Sequence, residues 1–177
     1  MRRVLDKTKA ASGRVHHLKF QRGSSMCNYC GCRAIPAIAE LTDQHEEIAE
    51  VAGDLERAIV AERWPEATEH LTHLRRLLTP HVALEEAALF SVMGALDEFA
   101  EGVGVLYDDH DDIDSALEQP ISDWSRVRVA VHQLFEHIDR EEHGLFPASL
   151  ATFTNDQWDS VHELQARIHA DHLEQLA

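Results

Sequence analysis

The chain has 177 residues, 44% of them hydrophobic, and a formal net charge of −16. That length allows one domain with its own core. So acidic a composition argues against nucleic acid and anionic membranes as partners, because phosphate contact needs basic patches, and no apolar run approaches the roughly 18–20 residues that span a bilayer.

The charge is unevenly spread. Seven basic residues (Arg2, Arg3, Lys7, Lys9, Arg14, Lys19, Arg22) and one acid, Asp6, fall within residues 1–25, leaving nine basic against 31 acidic residues from Met26 onward, a net of −22. Residues 1–33 therefore read as a basic, flexible leader. No apolar core of signal-peptide length follows its charges, and the composition switch makes Met26 the expected natural start. The three cysteines, Cys27, Cys30 and Cys32, are too few and too clustered for a disulfide framework. They suit a soft metal or a CxxC disulfide. Their clustering suggests a reducing compartment, so a cytoplasmic location is expected.

From Ala34 to about Val60, apolar residues at Ile35, Ile38, Leu41, Ile48, Val51, Leu55 and Ile59 follow the three-and-four spacing of a helix, with Pro36 suited to its first turn. His45 sits between Leu41 and Ile48, beside the apolar stripe. A second helix opens at Arg63-Trp64-Pro65-Glu66 and carries Ala67, Leu71, Leu74, Leu77, Leu78, His81, Leu84, Glu85, Ala88 and Leu89 on one face. Pro80, inside it, is expected to kink it. His70 and His73 fall outside this pattern and read as surface or supporting residues. Gly94, Gly102 and Gly104 bracket a turn and the start of a third helix, whose inner face carries Val103, Leu106, Tyr107, His110, Ile113, Asp114 and Leu117. Ser122-Asp123-Trp124-Ser125 caps a fourth, with Val127, Val131, Leu134, Phe135, Ile138, Glu141, Leu145 and Phe146 inward. Gly144 and Pro147 should bend or loosen it. Thr154-Asn155-Asp156-Gln157 is a capping box opening a fifth helix, on which His162, His169 and His172 read as solvent-facing.

Two elements recur. His81-Val82-Ala83-Leu84-Glu85-Glu86-Ala87-Ala88-Leu89-Phe90 and His137-Ile138-Asp139-Arg140-Glu141-Glu142-His143-Gly144-Leu145-Phe146 share His-x-x-x-Glu-Glu, two residues, then Leu-Phe. Gln44-His45-Glu46-Glu47-Ile48 and Asp109-His110-Asp111-Asp112-Ile113 share His, two acids, Ile. Residues at i and i+4 stand one turn apart on the same helix face, so His81 with Glu85 and His137 with Glu141 form two nitrogen–oxygen claws. Claws of this kind, pointing into a four-helix bundle, hold pairs of metal ions. A lone histidine near an apolar stripe is ordinarily a satisfied core residue; the repetition points instead to ligands, four imidazoles and two carboxylates from two half-sites. Asp114 (four after His110) and Glu142 are further candidate ligands. Glu142, five after His137, lies about 140° away from it on an ideal helix, which favours Glu141. Burying six polar groups without partners would cost several kcal/mol, against the alternative of a plain acidic bundle whose His and Glu merely hydrogen-bond.

This pattern, His45, His81-x-x-x-Glu85, His110 and His137-x-x-x-Glu141 with Leu89-Phe90 and Leu145-Phe146-Pro147, resembles the hemerythrin-like (HHE cation-binding) domain over roughly Ala34 to Leu150. The resemblance implies an all-α, up-and-down four-helix bundle at residues 34–150. The chain adds a fifth, C-terminal capping helix at 151–177 and the extended N-terminal segment at 1–33. It also implies a non-haem centre of two Fe ions, bridged by the two glutamates and an oxo or hydroxo group, with metal ligands His45, His81, Glu85, His110, His137 and Glu141. Founding hemerythrins have a second histidine where this chain has Asp114, and an aspartate where it has Glu142. Both departures argue against simple reversible oxygen carriage and toward bacterial relatives linked to oxygen, nitric oxide, peroxide or iron sensing. By ligand type alone, imidazole and carboxylate suit Fe, Mn or Zn. The expected function is binding or reducing a small oxidant (O2, NO or peroxide) in stress response or sensing, including catalase-like activity. The alternative is an iron-storage or oxygen-binding module without turnover. The expected partner is a small diatomic or peroxide ligand, with no nucleic acid or membrane, and a homodimer is a candidate assembly.

Overall fold

The computed structural model describes residues 31–118, 121 and 123–175, and all regular structure among them is helical. After a 3-10 turn at Cys32–Ala34, the helices are α1 (Pro36–Val60), α2 (Trp64–Leu84), α3 (Ser91–Gly94), α4 (Ala100–Leu117), α5 (Trp124–Arg140), α6 (Phe146–Thr152) and α7 (Asn155–Gln175). Two π-helical turns, Glu85–Phe90 and Glu141–Leu145, join α2 to α3 and α5 to α6.

Local chemistry sets the boundaries. Ile35, ahead of Pro36, is extended, as residues before proline prefer. Glu62 takes a left-handed φ of 54°, which stops α1 and lets the Arg63 N–H reach back to the Ala58 carbonyl at 2.9 Å. Asp123 caps α5 by accepting from Ser125 N–H at 2.8 Å. Thr154 and Gln157 form the expected reciprocal box: Thr154 N–H donates to Gln157 Oε1 at 2.8 Å, and Gln157 N–H to Thr154 Oγ1 at 3.4 Å. Pro80 lies inside α2, which continues through it to Leu84.

Helix α1 packs on α2 and α5, and α4 packs on α5 and α2, so these four helices close a ring. Helix α7 lies outside it, against α1, α2, α3 and the first π-turn. The interior has two apolar clusters. One, nearer the α1–α2 turn, includes Ile48, Leu55, Leu71, Leu74, Ile113, Val131 and Leu134. The other includes Ile38, Leu41, Leu84, Phe90, Met93, Leu106, Phe146 and Trp158. Each fully buried aliphatic or aromatic side chain contributes about 1.5–3 kcal/mol. Between the clusters runs a polar layer. On α1, Leu41 belongs to one cluster, Ile48 to the other, and His45 falls between. His81 lies between Leu74 and Leu84, and His110 between Leu106 and Ile113. Cys32 is buried and disulfide-bonded, while Cys27, Cys30 and Met26 lie outside the described residues, as does nearly all of the expected leader. No helix among the described residues is long and apolar enough to cross a membrane.

Candidate metal centre

The structure brings all six expected ligand residues into the polar layer. His45, Glu85 and Glu141 have no solvent exposure, and His81, His110 and His137 are nearly as buried. Their Nε2 atoms converge on the two carboxylates. His45 Nε2 is 3.3 Å from Glu85 Oε1 and 3.2 Å from Glu141 Oε2. His81 Nε2 is 3.3 Å, and His110 Nε2 3.5 Å, from Glu85 Oε2. His137 Nε2 is 3.3 Å from Glu141 Oε2 and 2.9 Å from His110 Nε2. Metal–ligand bonds of about 2.0–2.2 Å, set between right and tetrahedral angles, hold donor atoms roughly 2.9–3.6 Å apart. The observed spacings fall in that range.

Every ring is also held from behind. His45 Nδ1 is 2.9 Å from Glu142 Oε1, and His81 Nδ1 is 2.8 Å from Gln44 Oε1. His110 Nδ1 is 2.8 Å from Glu86 Oε1, and His137 Nδ1 is 3.2 Å from Asp109 Oδ2. Each Nδ1 thus faces an acceptor and carries the ring proton, which turns the Nε2 lone pair inward. Two such lone pairs at 2.9 Å, beside four carboxylate oxygens, repel unless something positive lies among them. All four oxygens of Glu85 and Glu141, and Nε2 of His45, are buried without a hydrogen-bond partner. The donor set therefore fits metal ions. Two overlapping ligand groups can be drawn from it: Glu85, His110, His137 and Glu141, and His45, His81 and Glu85. Glu85 belongs to both.

Electrostatics follow the same logic. Burial works against charge on every group here. The nearby carboxylates of Glu141, Glu142 and Glu85 nonetheless outweigh it at His45 and hold that imidazole well above its ordinary pKa. Glu85 and Glu86 overcome burial likewise at His110, raised to about 9, and Glu141 raises His137. At His81 burial wins, with its pKa lowered to about 4. The surrounding imidazoles together hold Glu85 well below the ordinary carboxylate range against burial, and His137 and His45 hold Glu141 below it too. Protons on imidazole are one way to balance the two buried carboxylates; divalent cations are the other, and the two compete.

Residues 37–149 match the family model described as hemerythrin, hemerythrin HHE cation binding domain. The chain belongs to that family. No curated protein and no solved structure matches it. Its hemerythrin domain thus spans all six converging residues and both π-turns.

Several features of this hemerythrin domain were not foreseen. Glu142 is not turned away from the interior as an ideal helix would require; it is buried against His45. The physical reason is the π-turn. Its i→i+5 bonding widens the helix and lowers the rotation per residue, so two consecutive acids both face inward, one to the cluster and one to a neighbouring imidazole. The first claw does the same with Glu85 and Glu86. The Leu-Phe ends of the repeats also have a role: Phe90 stacks on His110 (centroids 5.4 Å apart, 10° between planes) and Phe146 on His45 (5.7 Å, 6°). The repeated Glu-Glu and Leu-Phe pairs were the available signal for both. Asp114 is exposed and outside the cluster. Tyr107 packs edge-on to Phe90 and donates its hydroxyl to the Glu86 carbonyl at 3.2 Å. His70 and His73 lie outside the cluster. His162 departs from the solvent-facing expectation: it is half-buried, with Nε2 unpartnered near Trp158. His169, half exposed, pairs with Glu40 at 2.9 Å. The His172 side chain lies outside the described residues.

A cavity of about 290 Å³ lies between α2, α4 and α5, lined by Leu78, Val82, Ile113, Leu117 and Leu134 together with His81, His110 and His137. Arg75, Thr79, Glu86, Asp111 and Asp114 complete its wall. It connects the cluster to the side on which Asp114 lies.

Proposed function

We propose that this chain is a non-haem di-iron protein that binds or reduces a small oxidant (O2, NO or peroxide) in sensing or stress response. His45, His81, Glu85, His110, His137 and Glu141 are the metal ligands in this reading, and α1, α2, α4 and α5 form an up-and-down bundle over residues 34–150, capped by 151–177. The observation that carries it is Glu85, common to both candidate ligand groups, its two oxygens without any hydrogen-bond donor. A carboxylate so disposed can bridge two ions and offset their mutual repulsion.

An iron pair, when bound, supplies electrons and coordination positions for a small molecule. The protein does the rest. Glu142, Gln44, Glu86 and Asp109 fix the four imidazoles with Nε2 inward. Phe90 and Phe146 lie flat against two of them and exclude water. The cavity beside His81, His110 and His137 gives a small molecule a largely apolar approach, and its volume is ample for a diatomic or peroxide.

Iron analysis and absorption spectroscopy of aerobically purified protein test the reading. About two irons per chain with oxo-bridge charge-transfer bands in the near-ultraviolet are expected; a chain that takes up no stoichiometric iron overturns it. Peroxide consumption or NO binding by the loaded protein then separates oxidant handling from storage without turnover.

A further inference from the structure

The two half-sites are related residue by residue. Gln44-His45 corresponds to Asp109-His110, and His81-Glu85-Glu86 to His137-Glu141-Glu142. The outer contacts obey the same relation. The acid after each claw glutamate accepts from the lone histidine of the other repeat element: Glu86 from His110 Nδ1, Glu142 from His45 Nδ1. The residue before each lone histidine accepts from a claw histidine: Gln44 from His81 Nδ1, Asp109 from His137 Nδ1. Among these four outer acceptors one is uncharged. Three imidazoles donate to carboxylates, and His81 donates to an amide oxygen.

The amide is held in that orientation. Gln44 Nε2 donates to Glu40 Oε1 at 3.4 Å, which leaves Oε1 for His81. Glu40 in turn receives His169 Nε2 of α7 at 2.9 Å. A hydrogen bond from imidazole N–H to a carboxylate is charge-assisted and makes the opposite nitrogen a stronger donor to a cation; an amide oxygen does this less. Arg140 shares Asp109 Oδ2 with His137, which tempers that carboxylate. Ligand number adds to the imbalance, since four donors gather around Glu85, His110, His137 and Glu141, against three for His45, His81 and Glu85.

Resting on the two-ion reading above, we propose that Gln44, the one uncharged outer acceptor, sets the order in which the two metal positions fill. The position of Glu85, His110, His137 and Glu141 fills first and holds its ion more tightly. Gln44 is the positioning residue that keeps the His45–His81 position the weaker one.

The test is titration of the metal-free full chain with Co(II), followed by calorimetry and by the visible ligand-field spectrum, with no turnover required. Two resolved binding steps are expected. Gln44→Glu, close to isosteric, should tighten the second step by about 10–100-fold and leave the first nearly unchanged, the range typical of outer partners of metal-bound histidine. Gln44→Leu, which removes the acceptor, should weaken the second step alone. Glu86→Gln should weaken the first. Circular dichroism establishes that each variant is folded. Two steps of equal affinity in the wild-type chain, or a second step that responds to neither Gln44 variant, overturns the inference and leaves the dinuclear reading standing. A chain that binds fewer than two equivalents overturns both.

Discussion

The hemerythrin domain carries two halves written in nearly the same residues, 44–90 and 109–146, and they differ most in what surrounds the shared pattern. In the second half the inward-turned acid after the claw, Glu142, is buried; its counterpart Glu86 is one-third exposed and borders the cavity. The residue before the lone histidine is neutral Gln44 in one half and Asp109, tied to Arg140, in the other. The lone imidazoles are held alike, each by a carboxylate and a flat phenyl ring from the opposite half. The lesson is that repetition fixes the inner donors, while the outer contacts and access to solvent are free to diverge. One face of the centre is sealed and the other opens on a cavity.

The comparison can be broken most severely at Glu85, which both candidate ligand groups share. Glu85→Ala should remove stoichiometric iron altogether, and His81→Ala and Glu141→Ala should each bring loading below two irons per chain, as read by metal analysis of purified protein. Normal loading in all three would sink the ligand assignment. The two phenyl rings come next. Phe90→Ala and Phe146→Ala each vacate a fully buried site, and each should destabilise the fold by about 3–5 kcal/mol in denaturant titration. Equal losses would support the equivalence of the halves at this layer, and a loss below roughly 1 kcal/mol at either would contradict it.

A finer contrast lies in the outer carboxylates. Glu142→Gln and Glu86→Gln should each weaken metal binding by about 10–100-fold. The larger effect is expected at Glu142, whose charge is less screened by water; competition against a calibrated chelator would measure both. The smallest effect is expected at Asp114, exposed and outside the cluster. Asp114→Ala should change stability by no more than about 0.5 kcal/mol and leave iron loading intact, and His162→Ala should likewise leave loading intact. Loss of an iron in Asp114→Ala would mean that this α4 acid takes a ligand's place after all.

Much of the site was legible because it depends on spacing within single helices. His81 with Glu85 and His137 with Glu141 need only the i, i+4 geometry, and His45 and His110 announce themselves by matching neighbours. The inward turn of Glu142 was not legible, for an equally physical reason: the π-turn at Glu141–Leu145 departs from the angles of an ideal α-helix. Gly144 and Pro147 did signal a disturbance there, without its form. The stacking of Phe90 on His110 and Phe146 on His45, and the hydrogen bonds from His81 to Gln44 and from His137 to Asp109, join segments 20 to 101 residues apart. No local rule predicts such pairings.

By itself the amino-acid order determined the helices, their inward faces and the inner donors, because helical periodicity converts sequence intervals directly into angles. The packing of the helices decided the rest: which carboxylate backs which imidazole, which acid the widened turns bring inside, and where the interior stays open. Those outcomes depend on contacts between distant segments, and their geometry exists only once the two apolar clusters have closed around the polar layer.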